Sequence, residues 1–277
     1  RSRAASLRAT FSGMEGVRLS SVTSASWVKS RYAYDDDWTA GSYQGFSDLD
    51  RDRTVFNQEL RLDSTLTRSA LGWIDRWTLG AFLAHTRETS AYTNSDPDNI
   101  RGLRTRYSAD NTALFGQIAH DLAAQTRLVV GLRSEWVDLD GRGTKTRYRA
   151  ARKAFDPEVT FHPVFDDTVF GGKVTLEHDL NANQLVFASV TRGYKAGGIN
   201  IDARISPPAD PLTYGTETLW NYEAGIRGNW LDRALTGELT AFYLDRRDPQ
   251  VRDSAGFGGN YRFFTANARG ADVYGLE

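Results

Sequence analysis

The stretch Leu219–Leu244, LWNYEAGIRGNWLDRALTGELTAFYL, decides the fold. Every second residue from Trp220 gives Trp220, Tyr222, Ala224, Ile226, Gly228 and Trp230, none of them charged. The residues between, Asn221, Glu223, Gly225, Arg227 and Asn229, are polar apart from one glycine. Opposite faces at a period of two mean a strand rather than a helix. Asp232-Arg233-Ala234 breaks the run. A second alternating arm then sets Leu235, Leu239, Ala241 and Tyr243 against Thr236, Glu238 and Thr240, with Phe242 interrupting the polar side. The pair is an antiparallel hairpin with one apolar and one polar face.

Each arm is about 10–12 residues, or ~35–40 Å at ~3.3 Å per residue. Tilted by about 45°, an arm rises ~25 Å, the height of the apolar band of an outer-membrane barrel. Trp220 and Trp230 close the two ends of the apolar stripe, as interfacial aromatic girdles do. One hairpin does not settle the matter, because soluble sandwiches alternate too.

Composition narrows the classes. The chain has 277 residues, with Lys+Arg 34 against Asp+Glu 35, so no charge excess points to nucleic acid. It has no run of 18 apolar residues and hence no transmembrane helix, a test that barrel strands escape. The mean hydropathy of -0.49 suits a membrane barrel and a soluble protein equally. Cysteine is absent, which removes zinc-finger, iron–sulfur and cysteine-nucleophile chemistry. No GxSxG, Walker or HExxH motif is present and no carboxylate pair stands out, so no enzyme is expected.

About eleven strands are expected in chain order: Ala4–Ser12, Val17–Val28, Arg53–Leu62, Trp73–Thr86, Tyr107–His120, Thr126–Val137, Thr168–His178, Gln184–Tyr194, the two arms above, and a final run Tyr261–Glu277. Short breakers (Met14–Gly16, Ser69–Gly72, Leu122–Ala124, Asp179–Asn183) alternate with long polar segments (Lys29–Asp52, Arg87–Arg106, Asp138–Asp167, Lys195–Leu212, Arg246–Asn260). An antiparallel up-and-down transmembrane barrel needs tight turns at one rim and long external loops at the other. Eleven strands would leave edges that hydrocarbon does not tolerate, and single-chain bacterial barrels have even strand numbers. The chain is therefore expected to be part of a longer barrel.

Several motifs resemble those of TonB-dependent outer-membrane receptors: LVFASVTRGYKAGGIN (Leu185–Asn200), ETLWNYEAGIRGNWLDRALTGELTAFYLDRRDPQV (Glu217–Val251), FNQELRLDS (Phe56–Ser64), LFGQIAHDL (Leu114–Leu122) and VVGLRSEW (Val129–Trp136). They fall in that family's order from about Val17 to Glu277. The resemblance implies a barrel of roughly 22 strands around an N-terminal plug, of which residues 1–277 would supply about half the wall and no plug. It also implies TonB-coupled active uptake of a scarce ligand, such as a ferric siderophore, across a Gram-negative outer membrane. Partners would be the TonB complex acting through the plug, the lipid bilayer with its lipopolysaccharide, and a small extracellular ligand; no nucleic acid and no cofactor are implied. Two rivals stay open: a passive porin-type channel, which would lack plug and TonB box, and a soluble β-rich binding domain, which would need no detergent.

Candidate ligand residues are the loop aromatics Trp38, Tyr43 and Phe46, with Arg147, Arg149 and Lys195. Loops carry binding residues, but such aromatics also pack loops onto themselves. Six basic residues crowd Arg142–Lys153 (Arg142, Lys145, Arg147, Arg149, Arg152, Lys153), fit to meet lipopolysaccharide phosphates or an anionic ligand, or simply to hydrate a mobile loop. Asp48, Asp50, Asp52 and Glu59 match four positions of a calcium loop, yet Arg53 stands where glycine is required, so a solvated acidic loop is the better reading. His85, His120, His162 and His178 lack metal-ligand spacing. Arg133, Glu135, Lys173 and Glu177 are expected to line the lumen, and Val130 to face lipid.

Overall fold

The computed structural model describes residues 1–35, 45–65, 74–201, 209–255 and 262–277. Its elements are β1 (Ser2–Met14), β2 (Val17–Asp35), β3 (Phe46–Ser64), β4 (Arg76–Ser95), β5 (Asn99–Ala123), β6 (Thr126–Arg149), a 3-10 turn (Ala150–Arg152), β7 (Ala154–Phe155), β8 (Val159–Phe161), β9 (Val164–Asn181), β10 (Gln184–Lys195), β11 (Gly198–Ile199), β12 (Thr213–Tyr214), β13 (Glu217–Trp230), β14 (Leu235–Arg247), β15 (Gln250–Ala255), β16 (Arg262–Asn267) and β17 (Ala271–Leu276). The main sheet has 13 strands. Its path runs β1-β2-β3-β4-β5-β6-β9-β10-β13-β14-β17, with β7 and β8 attached only to β6, so eleven strands form the wall. All pairings along it are antiparallel. Among the described residues β1 and β17 do not pair with each other, so the wall is open.

The register separates two faces. Directly opposed residues of an antiparallel sheet share a face, and successive residues alternate. One transverse row reads Trp77–Ile118–Val130–Val174–Val190–Tyr222–Tyr243–Tyr274 across eight strands. The next row, on the other face, reads Asp63–Thr78–Gln117–Gly131–Lys173–Thr191–Asn221. One face is therefore apolar and the other polar. Among the described residues the apolar face has no second layer over it: Leu132 is 69% exposed, Leu79 56% and Leu114 55%. A sandwich would bury those side chains, so the soluble two-layer reading fails. The upper edge of the apolar face carries Trp27, Trp136, Phe170, Trp220 and Tyr243. It steps down in register from β2 to β14, as tilted strands in a level bilayer require.

Strand count and most turns match the sequence reading, but the long polar segments do not. β5 has 25 residues and β6 has 24, about twice the apolar stripe. Most of Arg87–Arg106 is a ladder between β4 and β5, closed by a tight turn at Asp96-Pro97-Asp98. Asp96 Oδ1 accepts the N–H groups of Asp98 (2.9 Å) and Asn99 (2.7 Å) there. The ladders continue because backbone pairing does not depend on what the side chains face; only the alternation signal ends where the bilayer ends. Arg246–Asn260 likewise includes β15, which pairs with β16, and the expected final run is two strands, β16 and β17. The expected start at Trp73 and the breaker Ser69–Gly72 lie outside the described residues. At the tight rim, Leu231, Asp232 and Arg233 take φ of 53°, 55° and 71° to reverse the chain between β13 and β14.

Candidate functional site

The inner face is a wall of paired charges. On β3 and β4, Arg61 Nε lies 2.8 Å from Asp63 Oδ1, and Thr78 Oγ1 donates to the same oxygen. Higher up, Glu88 is 7% exposed and takes Arg53 at 2.5 Å and Arg51 at 3.2 Å. On β6, Glu135 Oε2 accepts from Arg133 Nη2 (2.9 Å) and Tyr194 Oη (2.8 Å), while Oε1 accepts from Asn111 Nδ2 (2.9 Å). Phe82 and Phe115 present their rings to the Arg133 guanidinium, at 5.6 and 5.8 Å. Tyr194 belongs to β10 and reaches β6 across β9. Gly171 allows this, since a Cβ there would sit 3.1 Å from the Tyr194 ring. Arg133 and Glu135 are thus on the inner face, as expected.

Above this wall, the segment after β10 folds over the inner face. Ile199 packs on Ala109, Val137 and Leu139 together with Tyr107, Phe165 and Ala196, the buried apolar cluster of the described chain. Gly141 makes room, because a Cβ there would lie 2.4 Å from Ile199 Cδ1. The segment is tied to the excursion after β14. Asn200 Nδ2 donates to Thr265 O and Asn200 Oδ1 accepts from Thr265 N, both at 2.9 Å. Asn267 exchanges two bonds with the backbone of Gly215 (2.6 and 3.0 Å). Gln250 Nε2 donates to Ala196 O at 2.8 Å, and its N–H donates to Glu217 Oε2 at 2.8 Å. Pairing across 33 to 65 residues leaves no local pattern, so the sequence alone does not single out Asn200, Asn267 or Gln250.

The sequence-chosen ligand residues separate. Trp38 and Tyr43 lie outside the described residues. Phe46 is not in a loop; it opens β3. It lines a cavity of about 510 Å³ with Asp35, Asp96, Ile100 and Tyr148 at the hairpin tips. By register Phe46, Ile100 and Tyr148 share one transverse row on the side continuous with the apolar face. Arg147 and Arg149 occupy the alternate positions and belong to the inner side. Arg147 stands directly opposite Arg101. Arg101 is held by Asp96 (2.8 Å) and Arg149 by Asp156 (2.7 Å). Arg147 has only the neutral Asn99 Oδ1 at 2.9 Å and no ion pair among the described residues. Burial, then Arg149 and Arg101, pull its guanidinium below the usual value. Like charges gathered with one of them unneutralised make an electropositive patch on the inner side of the tips. Lys195 is elsewhere: it ends β10 beside Tyr194, whose hydroxyl meets Glu135 far down β6 from Arg149.

The acidic segment is also not a loop. Asp48, Asp50 and Asp52 alternate along β3, facing Ala33, Arg31 and Lys29 of β2, and Arg31 Nη2 lies 3.0 Å from Asp48 Oδ2. Glu59 follows in the same strand, on the other face, so the four carboxylates cannot converge on one ion. The histidines take local partners: His85 with Asp110, His120 with Asp75, His162 with Asp140 and His178 with Thr126.

A single antiparallel layer, apolar outside and charged within, defines a Gram-negative outer-membrane β-barrel protein. The family model described as "TonB dependent receptor-like, beta-barrel" matches residues 3–277, and the chain belongs to that family. Three solved structures share the fold. The ferric yersiniabactin uptake receptor FyuA from Yersinia pestis is 16% identical with a TM-score of 0.76, covering 99% of this chain and 38% of its own. The ferric-catecholate import receptor Fiu from K12 E. coli is 13% identical at 0.70, covering 99% and 44%. The siderophore receptor PiuA from Acinetobacter baumannii is 12% identical at 0.68, covering 99% and 43%. The chain thus spans about two fifths of the length of these receptors.

Proposed function

We propose that residues 1–277 form part of the barrel of a longer receptor that takes up a scarce anionic ligand, such as a ferric siderophore, with energy supplied by TonB through a plug. The observation that carries this reading is the Arg101–Arg147 pair on the inner side of the hairpin tips. Two guanidiniums directly opposed destabilise a sheet unless something anionic joins them. Asp96 neutralises one; the other is free to meet a carboxylate or a metal chelate descending into the barrel. FyuA is a ferric yersiniabactin uptake receptor and Fiu a ferric-catecholate import receptor, which supports this ligand class. The paired charges lower down form a hydrated wall against which a plug would pack.

The test is uptake of radiolabelled ferric siderophores by iron-starved cells carrying the full-length receptor, with and without TonB. Uptake that needs TonB and falls several-fold in Arg147→Gln supports the reading. Uptake indifferent to TonB would make the parent a diffusion channel.

A further inference from the structure

The lipid-facing side of the wall is not uniform. Four and six residues below Trp136 on β6 stand Leu132 and Val130. At the same steps below Trp27 on β2 stand Thr23 and Ser21, with Ala25 above them. At ~3.3 Å per residue and a tilt of about 45°, Ala25, Thr23 and Ser21 lie roughly 5, 9 and 14 Å below the upper edge of the apolar band, itself ~25 Å tall. Their direct neighbours on β3 are Phe56, Gln58 and Leu60, and Leu7 opposes Thr23 from β1. Leu7, Phe56 and Leu60 are exposed. Along the outer face β2 is thus a furrow of small side chains, and β3 is a ridge beside it.

The furrow and ridge also carry polar groups into the band. Gln58 Oε1 accepts from Thr23 Oγ1 at 2.5 Å, and Gln58 Nε2 donates to Ser21 Oγ at 3.0 Å. Polar groups in hydrocarbon are costly unless they are paired. The Ser21 O–H has no acceptor among the described residues, and Gln58 Oε1 keeps a second lone pair. One donor and one acceptor therefore remain at the lipid face. Above the band the same two strands turn opposite charges outward. Lys29 and Arg31 stand on β2, and Asp48, Asp50 and Asp52 on β3. Lys29 directly opposes Asp52, and Arg31 opposes Asp50 and lies 3.0 Å from Asp48.

A two-fold axis along the membrane normal, placed between β2 and β3, keeps every side chain at its own height. It sets β2 of one copy against β3 of the other. Ridge then meets furrow inside the band, and the basic strand meets the acidic strand above it. Shape and charge are independent properties, yet both match under the same pairing of strands. The donor and acceptor left by Ser21 and Gln58 match under it too. We infer that the outer face of β2 and β3 is the seam of a side-by-side dimer, and that its occupant is a second copy of the full-length receptor. Lipid tails offer nothing to the polar trio, whereas a second copy supplies its complement. The inference rests on the membrane placement of the wall and not on which ligand the receptor imports.

The experiment uses the full-length receptor in lipid vesicles at low protein density, checked for folding by heat-modifiable gel migration. Single-molecule photobleaching reads the oligomeric state, and the wild type should be mostly dimeric. Ser21→Trp/Ala25→Trp fills the furrow and should raise the density needed for dimers about tenfold. Val130→Trp, on the same face of β6, should not. The charge rows are tested by mixing. Lys29→Asp alone and Asp52→Lys alone should each weaken self-association several-fold, because like charges then face each other across the seam. Mixed together, the two variants should pair with each other, since the mixture restores both contacts while contacts within each copy stay as they were. The mixing arm stands even if the tryptophan variant does not fold. Monomeric wild type at every density, dimers indifferent to the tryptophans, or variants that pair no better mixed than alone would overturn the assignment. A pure receptor that stays monomeric but cross-links through Thr23→Cys to a different protein in native outer membranes would overturn it as well. Loss of heat-modifiable migration in the wild type would instead overturn the membrane reading.

Discussion

Tyr194 Oη donates a 2.8 Å hydrogen bond to Glu135 Oε2 although a whole strand, β9, lies between their own strands. The bond ties β10 to β6 over Gly171 and leaves Glu135 with three donor side chains. Tyr194→Phe removes one and keeps the ring. A hydrogen bond to a charged group contributes about 1.5–3 kcal/mol. Two remaining donors and partial solvation should bring the loss toward 1 kcal/mol. Urea unfolding in lipid vesicles measures it; no change in midpoint would mean that the bond is not formed.

Asn200 latches one inward-folded segment to another through Thr265. Asn200→Ala should free that contact without disturbing the wall. Limited proteolysis should cut between β10 and β13 several-fold faster, while heat-modifiable migration stays as in wild type. Unchanged cutting would show that the apolar contact of Ile199 alone holds the segment.

Asp96 closes the β4–β5 tip, outside the bilayer. Burial pushes its carboxyl up, but the Asn99 side chain, the Asp98 N–H, Arg101 and the Asn99 N–H outweigh that and hold it below the ordinary value. A lowered folded value means a contribution that is complete above the unfolded value of ~3.9 and is lost as pH falls through the folded one. Amide protection at Asp98 and Asn99 should therefore fall in acid and not in base. Asp96→Asn should flatten this pH response.

The legible and illegible parts of the sequence divide at the bilayer edge. From Trp220 to Trp230 lipid imposes strict alternation, so strand, faces and turn were all readable. From Arg142 to Arg149 water bathes both faces, and β6 continued where a loop was expected. The turn at Asp96 was readable in principle, since Asp-Pro-Asp-Asn is turn chemistry, but two flanking polar ladders hid it. For the same reason Phe46, which opens β3, reads as a loop aromatic. Lys195 looked like its companions because sequence does not show how far along the neighbouring strand a residue sits.

Val130 sits in the apolar row between Ile118 and Val174. Val130→Arg should cost about 2–4 kcal/mol of folding free energy in lipid, the expected penalty for a mid-bilayer charge. Gly131→Arg faces inward, where an added Cβ meets only ordinary contacts from 3.7 Å, and should cost much less. Equal costs would mean the two faces are confused.

The two-faced wall itself is tested most directly by spin-label accessibility along β6. Residues 1–277 contain no cysteine, so single cysteines carrying nitroxides can be placed from Leu128 to Trp136 in the receptor in vesicles, with any cysteine elsewhere replaced. Even-numbered positions should collide with oxygen and odd-numbered ones with a water-soluble nickel chelate, alternating at every step. A uniform profile, or oxygen contact at Arg133 and Glu135 with chelate contact at Leu132, would contradict the account.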